Sequence, residues 1–232
     1  MARRSYRQHC GLAAALDVVA QRWALLIVRD LSPGPRRFTD LFDGLPGIST
    51  DMLAQRLREL EEASAVERVE VRSPAPATLY RLTDRGVDLA RLAGELALWG
   101  APLLPPPETS DRRFNPRWAL QTLAARYRGG LPDGRFHLTI RHDDAAADEL
   151  TLTLDGERAR LRYGHLDGPA AASLSTPVAE FFAFRRDADG LTAQLPDGVE
   201  GSGELDRLAD VFRLLPPFVA SEPEPTDGVP RP

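Results

Sequence analysis

The sequence predicts an α+β protein with two folded units, a mainly helical N-terminal unit and a sheet-rich C-terminal unit. Apolar residues recur at helical spacing through much of residues 11–62, whereas several short runs in the second half alternate apolar and polar residues, which is typical of strands. A proline-rich segment separates the two patterns. We therefore expect folded domains at 1–101 and 113–215, a linker at 102–112, and a proline-rich, acidic, disordered tail at 216–232.

The bulk composition is that of a globular protein, with 43% hydrophobic and 27% charged residues among 232. No apolar run approaches the ~18 residues that a membrane span needs. The N-terminus lacks the long apolar region of a secretory signal, so we expect a cytoplasmic protein. The single cysteine, Cys10, excludes an intrachain disulfide framework and agrees with a reducing compartment.

The net charge of -5 argues at first against a nucleic-acid partner. The charge is unevenly distributed, however, because residues 1–100 contain 14 arginines and 13 acids, whereas residues 101–232 contain 15 arginines and 21 acids. Every basic residue is arginine, whose side chain suits bidentate contacts with phosphate and guanine. A DNA partner therefore depends on local clustering of these arginines and is not excluded by the total charge.

The N-terminal unit begins with a polar, basic arm at residues 3–9. Apolar spacing then predicts helices at 12–20 and 22–31, the second almost wholly apolar and therefore part of the core. Ser32-Pro33-Gly34-Pro35 breaks the chain, and Phe38, Leu41 and Phe42 place a third helix at 36–42. Gly44 to Gly47 form the next turn.

The following segment, Gly47 to Glu62, is predicted as a helix with two distinct faces. Ser49 or Thr50 can cap its N-terminus. Its apolar stripe consists of Met52, Leu53, Leu57 and Leu60. Its polar front carries Thr50, Asp51, Gln55 and Arg58. Such a helix suits a DNA major groove, although an ordinary amphipathic surface helix has the same pattern.

Two alternating runs follow, at 66–71 and 78–83, on either side of a proline-containing turn at 73–77. They predict a β-hairpin, and a helix-turn-helix followed by a hairpin is a winged helix. A long helix then begins at Thr83 or Asp84 and continues through Trp99.

These residues resemble the HxlR-type winged-helix transcriptional regulators of the MarR-like group. The matching segments are Cys10 before the first helix, RWALLIVRDL, GPRRFTDL, PGIS leading into LRELEE, TLYRLTDRG and ALWG, in the order found in that family. Two departures are visible. Cys10 is followed by Gly11 where the family has proline, and Asp51 stands where a basic residue is common.

The resemblance implies a transcriptional regulator, not an enzyme, that binds a pseudo-palindromic DNA operator as a homodimer. The first and last helices of the winged domain are expected at the dimer interface, with Leu89, Leu92, Leu96 and Trp99 on the last helix, for which internal packing is the alternative. Solvated surface arginines are the alternative to DNA contacts. The candidate DNA-binding residues are Arg36, Arg37, Ser49, Thr50, Asp51, Gln55, Arg58, Arg68, Arg72 and Arg81.

The resemblance also places Cys10 where several family members carry a sensor thiol. Nearby Arg7 and His9 favour the reactive thiolate. Because no second cysteine is present, a disulfide would form only with Cys10 of another subunit or with a small thiol. An inert, half-buried cysteine is the alternative.

The C-terminal unit is predicted as an antiparallel sheet with flanking helices. Strand patterns occur at 135–141, 149–154, 158–163, 170–175 and 191–195, and helical patterns at 115–127, 178–185 and 204–215. The strand order, LTLDGERARL and GSGELDRLADVF resemble the sterol-carrier-protein-like fold, which implies a hydrophobic small-molecule effector. The candidate pocket residues are Trp118, Phe136, Phe181, Phe182 and Phe184, for which an ordinary core position is the alternative.

No phosphate-binding glycine loop, cysteine pair or Ser-His-Asp context is recognisable, so we predict no enzyme, no cofactor and no metal site. His142-Asp143-Asp144 has the composition of a solvated loop.

The sequence thus predicts a dimeric DNA-binding regulator with an effector-binding C-terminal domain. A small-molecule or lipid-binding protein with a vestigial DNA-binding domain is the alternative, supported by the acidic net charge and Asp51.

Overall fold

A computed structural model describes residues 5–72, 76–104, 115–142, 147–192 and 194–215. The contacts divide the chain into two units between Gly94 and Glu95, and each unit has its own hydrophobic core. The predicted tail, most of the predicted linker and residues 73–75 of the predicted wing turn lie outside the described residues.

The N-terminal unit consists of helices and a small antiparallel sheet. The helices are α1 (Gly11–Val19), α2 (Ala24–Leu31), α3 (Phe38–Gly44), α4 (Thr50–Glu62) and α5 (Asp84–Gly100), which extends across the division between the units. The strands β1 (Arg36–Arg37), β2 (Val66–Val71) and β3 (Ala77–Leu82) pair in the order β1-β3-β2. Helices α3 and α4 followed by the β2–β3 hairpin confirm the predicted winged helix.

The core of this unit forms where α2, α3 and α4 meet. Ile27, Leu41, Leu53 and Leu57 are almost completely buried there. The apolar stripe predicted for α4 therefore packs inward, except that Met52 is only partly buried. Among the described residues no single helix is long and apolar enough to cross a membrane, and only α1 and α2 taken together, bent by 82°, meet that test of length and composition.

The prediction that Arg36 and Arg37 begin a helix is wrong. They form β1, in which Arg36 pairs with Tyr80 and Arg37 with Leu79. Helix α3 begins only at Phe38, where the backbone N–H of Arg37 donates to Asp40 Oδ2 at 3.0 Å. Pairing with the distant wing decides the conformation here, and local periodicity does not report such a pairing.

The C-terminal unit is a five-stranded sheet with helices against one face. Its strands are β4 (Gly134–Arg141), β5 (Ala147–Asp155), β6 (Arg158–Tyr163), β7 (Ala172–Pro177) and β8 (Glu200–Gly203), in the order β6-β5-β4-β7-β8. Its helices are α6 (Pro116–Arg126), α7 (Val178–Arg186) and α8 (Leu205–Arg213). Leu120, Phe181 and Leu208 of these helices share one core with Leu138 and Leu152 of the strands.

The prediction of an antiparallel sheet is wrong for one of its four strand pairs, because β4 and β7 are parallel, whereas the other three pairs are antiparallel. The chain leaves the β5–β6 hairpin and crosses the sheet before it enters β7 in the direction of β4. Alternation of apolar and polar residues identifies a strand but carries no information about the direction of a distant partner.

The predicted strand at 191–195 is also wrong. Residues Ala188–Leu191 form a 3-10 helix, which begins where the Asp187 carboxylate accepts the N–H of Asp189. The edge strand forms later, in the Gly-Ser-Gly segment of β8. There a side chain at Gly203 would lie 2.3 Å from the Ala171 carbonyl oxygen. Glycine permits this close approach but weakens the strand signal in the sequence.

Candidate nucleic-acid interface

The N-terminus of α4 is set by Ser49. Its Oγ accepts a hydrogen bond from the backbone N–H of Met52 at 3.2 Å, so Ser49, and not Thr50, is the cap. Gly47 precedes it with a φ of 89°, a left-handed conformation that favours glycine. Asp51 lies in the first turn, where a carboxylate interacts favourably with the helix dipole.

The front of α4 is exposed, as predicted from its helical phase. Thr50, Asp51, Gln55 and Arg58 all point away from the buried stripe. Within the described part of the chain the Arg58 guanidinium has no ion pair or side-chain hydrogen bond. Arg58 is therefore the cation on this face that is available to an external acceptor.

Glu59 organises the neighbouring polar side chains, a role that the sequence pattern did not predict. It accepts a hydrogen bond from Gln55 Nε2 at 3.1 Å. Its other oxygen lies 2.5 Å from Arg56, which is only 5% exposed. The spacing of four between Gln55 and Glu59 was the signal that could have revealed the first contact.

The three predicted wing arginines are exposed but differ in their partners. Arg81 Nε donates to Glu67 Oε1 at 2.7 Å. The Arg68 guanidinium lies 6.0 Å from the Tyr80 ring centroid and 4.0 Å from Glu70. Arg72, at the end of β2, has no ion pair within the described residues. Acidic side chains thus reduce the positive charge of the wing around two of its three arginines.

Arg36 and Arg37 lie beside the wing because β1 pairs with β3. Arg37 is exposed and Arg36 is half-buried. The strand pairing therefore brings two of the predicted contacts next to the hairpin, and not onto the front of a helix.

Cys10 is exposed and directly precedes α1, so it is not the half-buried residue of the alternative interpretation. The backbone N–H groups of Ala13 and Leu12 lower the pKa of the Cys10 thiol, although no side-chain hydrogen bond formally caps the helix. A lower pKa increases the fraction of reactive thiolate at neutral pH.

Large apolar side chains are exposed on α5. Leu92, Leu96 and Trp99 are 67%, 50% and 71% exposed, whereas Leu89 packs against the N-terminal core. On α1, Leu12 is similarly exposed. With Val87 of α5, these large apolar residues of α1 and α5 face outward in the single chain.

The predicted pocket aromatics belong largely to the C-terminal core. Phe136, Phe181 and Phe184 are buried, and the rings of Phe181 and Phe212 are 5.2 Å apart. Phe182 and Trp118 are partly buried. A hollow beside Phe136 has a volume of about 10 Å³, which is on the order of one water molecule. Phe136, Phe181 and Phe184 are therefore core residues, the alternative that the sequence left open.

The loop around His142 offers no metal position in the described residues. His142 Nε2 lies 2.9 Å from Asp148 Oδ2, while Asp143 and Asp144 lie outside the described residues. Across the described ranges, no three His, Cys, Asp or Glu side chains are grouped to hold a metal ion.

The HxlR-like helix-turn-helix family matches residues 18–108. YvaP of Bacillus subtilis strain 168, an uncharacterized HTH-type transcriptional regulator, is 36% identical over 92 residues, which cover 40% of this chain and 85% of YvaP. The HTH-type transcriptional regulator YodB of the same strain is 34% identical over 98 residues, covering 42% of this chain and 88% of YodB. A solved structure of reduced YodB covers 43% of this chain and 98% of its own at 33% identity, with a TM-score of 0.38.

Proposed function

Because this chain belongs to the HxlR-like helix-turn-helix family, whose members matched here are transcriptional regulators and not enzymes, we propose that it binds operator DNA in the cytoplasm through α4. The exposed front of α4 supports this proposal. A helix anchored by Leu53 and Leu57 can enter a major groove and present Thr50, Asp51 and Arg58 to base edges and phosphates. The other contacts are assigned to Arg36, Arg37, Ser49, Gln55, Arg68, Arg72 and Arg81.

The observation that carries this proposal is the exposed guanidinium of Arg58 on the front of α4, which has no ion pair or side-chain hydrogen bond among the described residues. Genome-wide recovery of bound DNA would identify the operator, and titrations on that operator would compare R58A with wild type. We expect R58A to weaken binding by about 1–3 kcal/mol. R126A, an exposed arginine of the C-terminal unit, is the matched control. If R58A and R126A bind the operator with equal affinity, Arg58 does not contact the DNA.

The homodimer is proposed from the apolar residues on α1 and α5. Contiguous exposed apolar surface marks an interaction site, and Leu92, Leu96 and Trp99 would be covered by a second copy. A two-fold dimer reads a pseudo-palindrome with half-sites about 34–36 Å apart. Sedimentation should give a dimer at micromolar concentration and a monomer for L92E/L96E. A wild-type monomer would contradict the proposal.

A hydrophobic effector in the C-terminal unit is proposed from its sterol-carrier resemblance and its aromatic residues. Because the hollow beside Phe136 is about 10 Å³, a ligand there would have to displace core side chains such as Phe136 and Leu154. Binding of the ligand and binding of the operator would then be thermodynamically linked, so that each changes the affinity of the protein for the other. Operator affinity that stays constant across a panel of lipids and apolar metabolites would contradict this proposal.

The alternative function, a small-molecule carrier with a vestigial winged domain, differs in its response to salt. A protein that contacts several phosphates loses affinity steeply between low and physiological salt. Weak DNA binding without that dependence, together with tight lipid binding, would favour the carrier.

Cys10 is proposed as a redox-sensitive residue on two observations, its exposure and the lowered pKa of its thiol. A two-electron oxidant such as diamide would join the Cys10 thiol to a small thiol, or to Cys10 of another subunit, as a disulfide and would be reduced in the process, which would place a new group at the start of α1.

A further inference from the structure

The two faces of the C-terminal sheet differ in chemistry. Leu150, Leu152 and Leu154 of β5 point into the core beneath the helices, so their neighbours in sequence point to the opposite face. On β6, Arg160 pairs with Thr153 and Arg162 with Thr151, and those two threonines lie on this opposite face. The same register places four arginines on this opposite face. We call them the arginine patch: Arg135, Arg158, Arg160 and Arg162.

The arginine patch is extended and regular. Arg158, Arg160 and Arg162 occupy alternate positions of β6, so successive stems are about 7 Å apart and the three span about 14 Å. Arg135 lies two strands away, about 10 Å across the sheet, because it pairs with Thr153. The exposed arginines of β6 thus offer positive charge along the strand, over the dimensions of a nucleic-acid backbone segment, with Arg135 at the margin of the patch.

The three arginines on β6 carry most of the available charge of the patch, because Arg135 is half-buried and its Nη1 donates to the Asp167 carbonyl oxygen. Arg158 and Arg162 are exposed and have no ion pair or side-chain hydrogen bond within the described residues. Arg160 lies 4.0 Å from Asp155, but both side chains are more than half exposed, so this pair is weak. Residues 101–232 contain 15 arginines and 21 acids. The patch is therefore a local positive region on an acidic unit.

We propose that the arginine patch binds the phosphate backbone of double-stranded DNA and adds a sequence-independent contact to that of α4. This inference rests on the proposed DNA-binding function. Arginine forms bidentate hydrogen bonds with phosphate. The outward positions of β4–β6 carry no Phe, Tyr or Trp on which bases could stack, and stacking platforms are typical of single-strand binders. The duplex backbone is thus the favoured partner.

The test measures binding of full-length protein to a mixed-sequence DNA duplex by fluorescence anisotropy over a range of salt concentrations. The variant is R158Q/R162Q, and its matched control is R126Q/R186Q, two exposed arginines on α6 and α7. Each lost phosphate contact reduces the slope of log affinity against log salt by about 1. Between about 50 and 200 mM salt, wild type should therefore lose about tenfold more affinity than R158Q/R162Q.

The control variant should follow wild type, and R158K/R162K, which keeps both charges, should retain most of the slope. Equal slopes for R158Q/R162Q and R126Q/R186Q would contradict DNA binding by the arginine patch. The proposed function of α4 would be unaffected by that result. No salt-dependent DNA binding by wild type would overturn both proposals.

Discussion

Arg81 Nε donates to Glu67 Oε1 at 2.7 Å across the β2–β3 hairpin, because the strand register places the two residues opposite each other. Both side chains are about half exposed, so the pair stabilises the fold by at most about 1 kcal/mol. Its larger consequence is electrostatic. In the free protein, a wing arginine proposed to contact DNA is already partly neutralised by a neighbouring acid.

Removing that acid should strengthen DNA binding. We expect E67Q to bind the operator more tightly and to increase the slope of log affinity against log salt by about 1, because Arg81 then interacts with phosphate without a competing carboxylate. Anisotropy titrations at several salt concentrations measure the change. D206N, which removes an exposed acid from α8, is the control, and an E67Q titration equal to that of D206N would show that Arg81 makes no DNA contact.

Loss of the α4 cap should destabilise the start of α4. Ser49→Ala removes the acceptor for the Met52 N–H, which typically costs about 1 kcal/mol. Hydrogen exchange of the α4 amides measures the free energy of local opening. T50A, at an exposed neighbouring position, should change that free energy by less than about 0.5 kcal/mol. Equal effects of S49A and T50A would exclude Ser49 as the energetic cap.

Cys10 should ionise below the ordinary range of a free thiol, because the Ala13 and Leu12 N–H groups lower its pKa. The rate of alkylation by iodoacetamide, followed against pH, reports this ionisation. If the thiol is also a sensor, diamide should change operator affinity in wild type but not in C10S. Diamide sensitivity that persists in C10S would rule out the sensor role.

His137 should make the C-terminal sheet less stable in mild acid. Burial, followed by the nearby His165 and Arg135, lowers the pKa of His137 from 6.5, and the two imidazole rings stack with centroids 4.7 Å apart. The unfolded chain therefore takes up the proton first as the pH falls. The stability contribution is fully present above about pH 6.5 and is lost as the pH falls through the folded-state pKa.

Hydrogen exchange of the β4 amides, measured from neutral to mildly acidic pH, tests this dependence. H137Q should give a flatter profile than wild type over the window below pH 6.5. If the exchange of the β4 amides depends on pH in the same way in wild type and H137Q, the acid sensitivity does not arise from His137.

Local patterns predicted the helices and most strands because their causes are local. The Leu53, Leu57 and Leu60 stripe establishes the phase of α4, and that phase alone assigned Arg58 to its exposed front. The alternation of apolar and polar residues likewise predicted the strands at 66–71 and 78–83. The same information failed at β8, where pairing with β7 and the close approach of Gly203 to the Ala171 backbone make the strand, without an alternating side-chain pattern.

By itself, the sequence determined the winged-helix order of elements, the exposed face of α4 and the membership of residues 18–108 in the helix-turn-helix family. Only the tertiary structure decided that Arg36 and Arg37 pair with the wing, that Glu67 neutralises Arg81, and that β4 and β7 run parallel. The physical reason is common to all three. Each depends on which distant segments come into register, and periodicity along the chain reports the environment of a residue but not the identity of its partner.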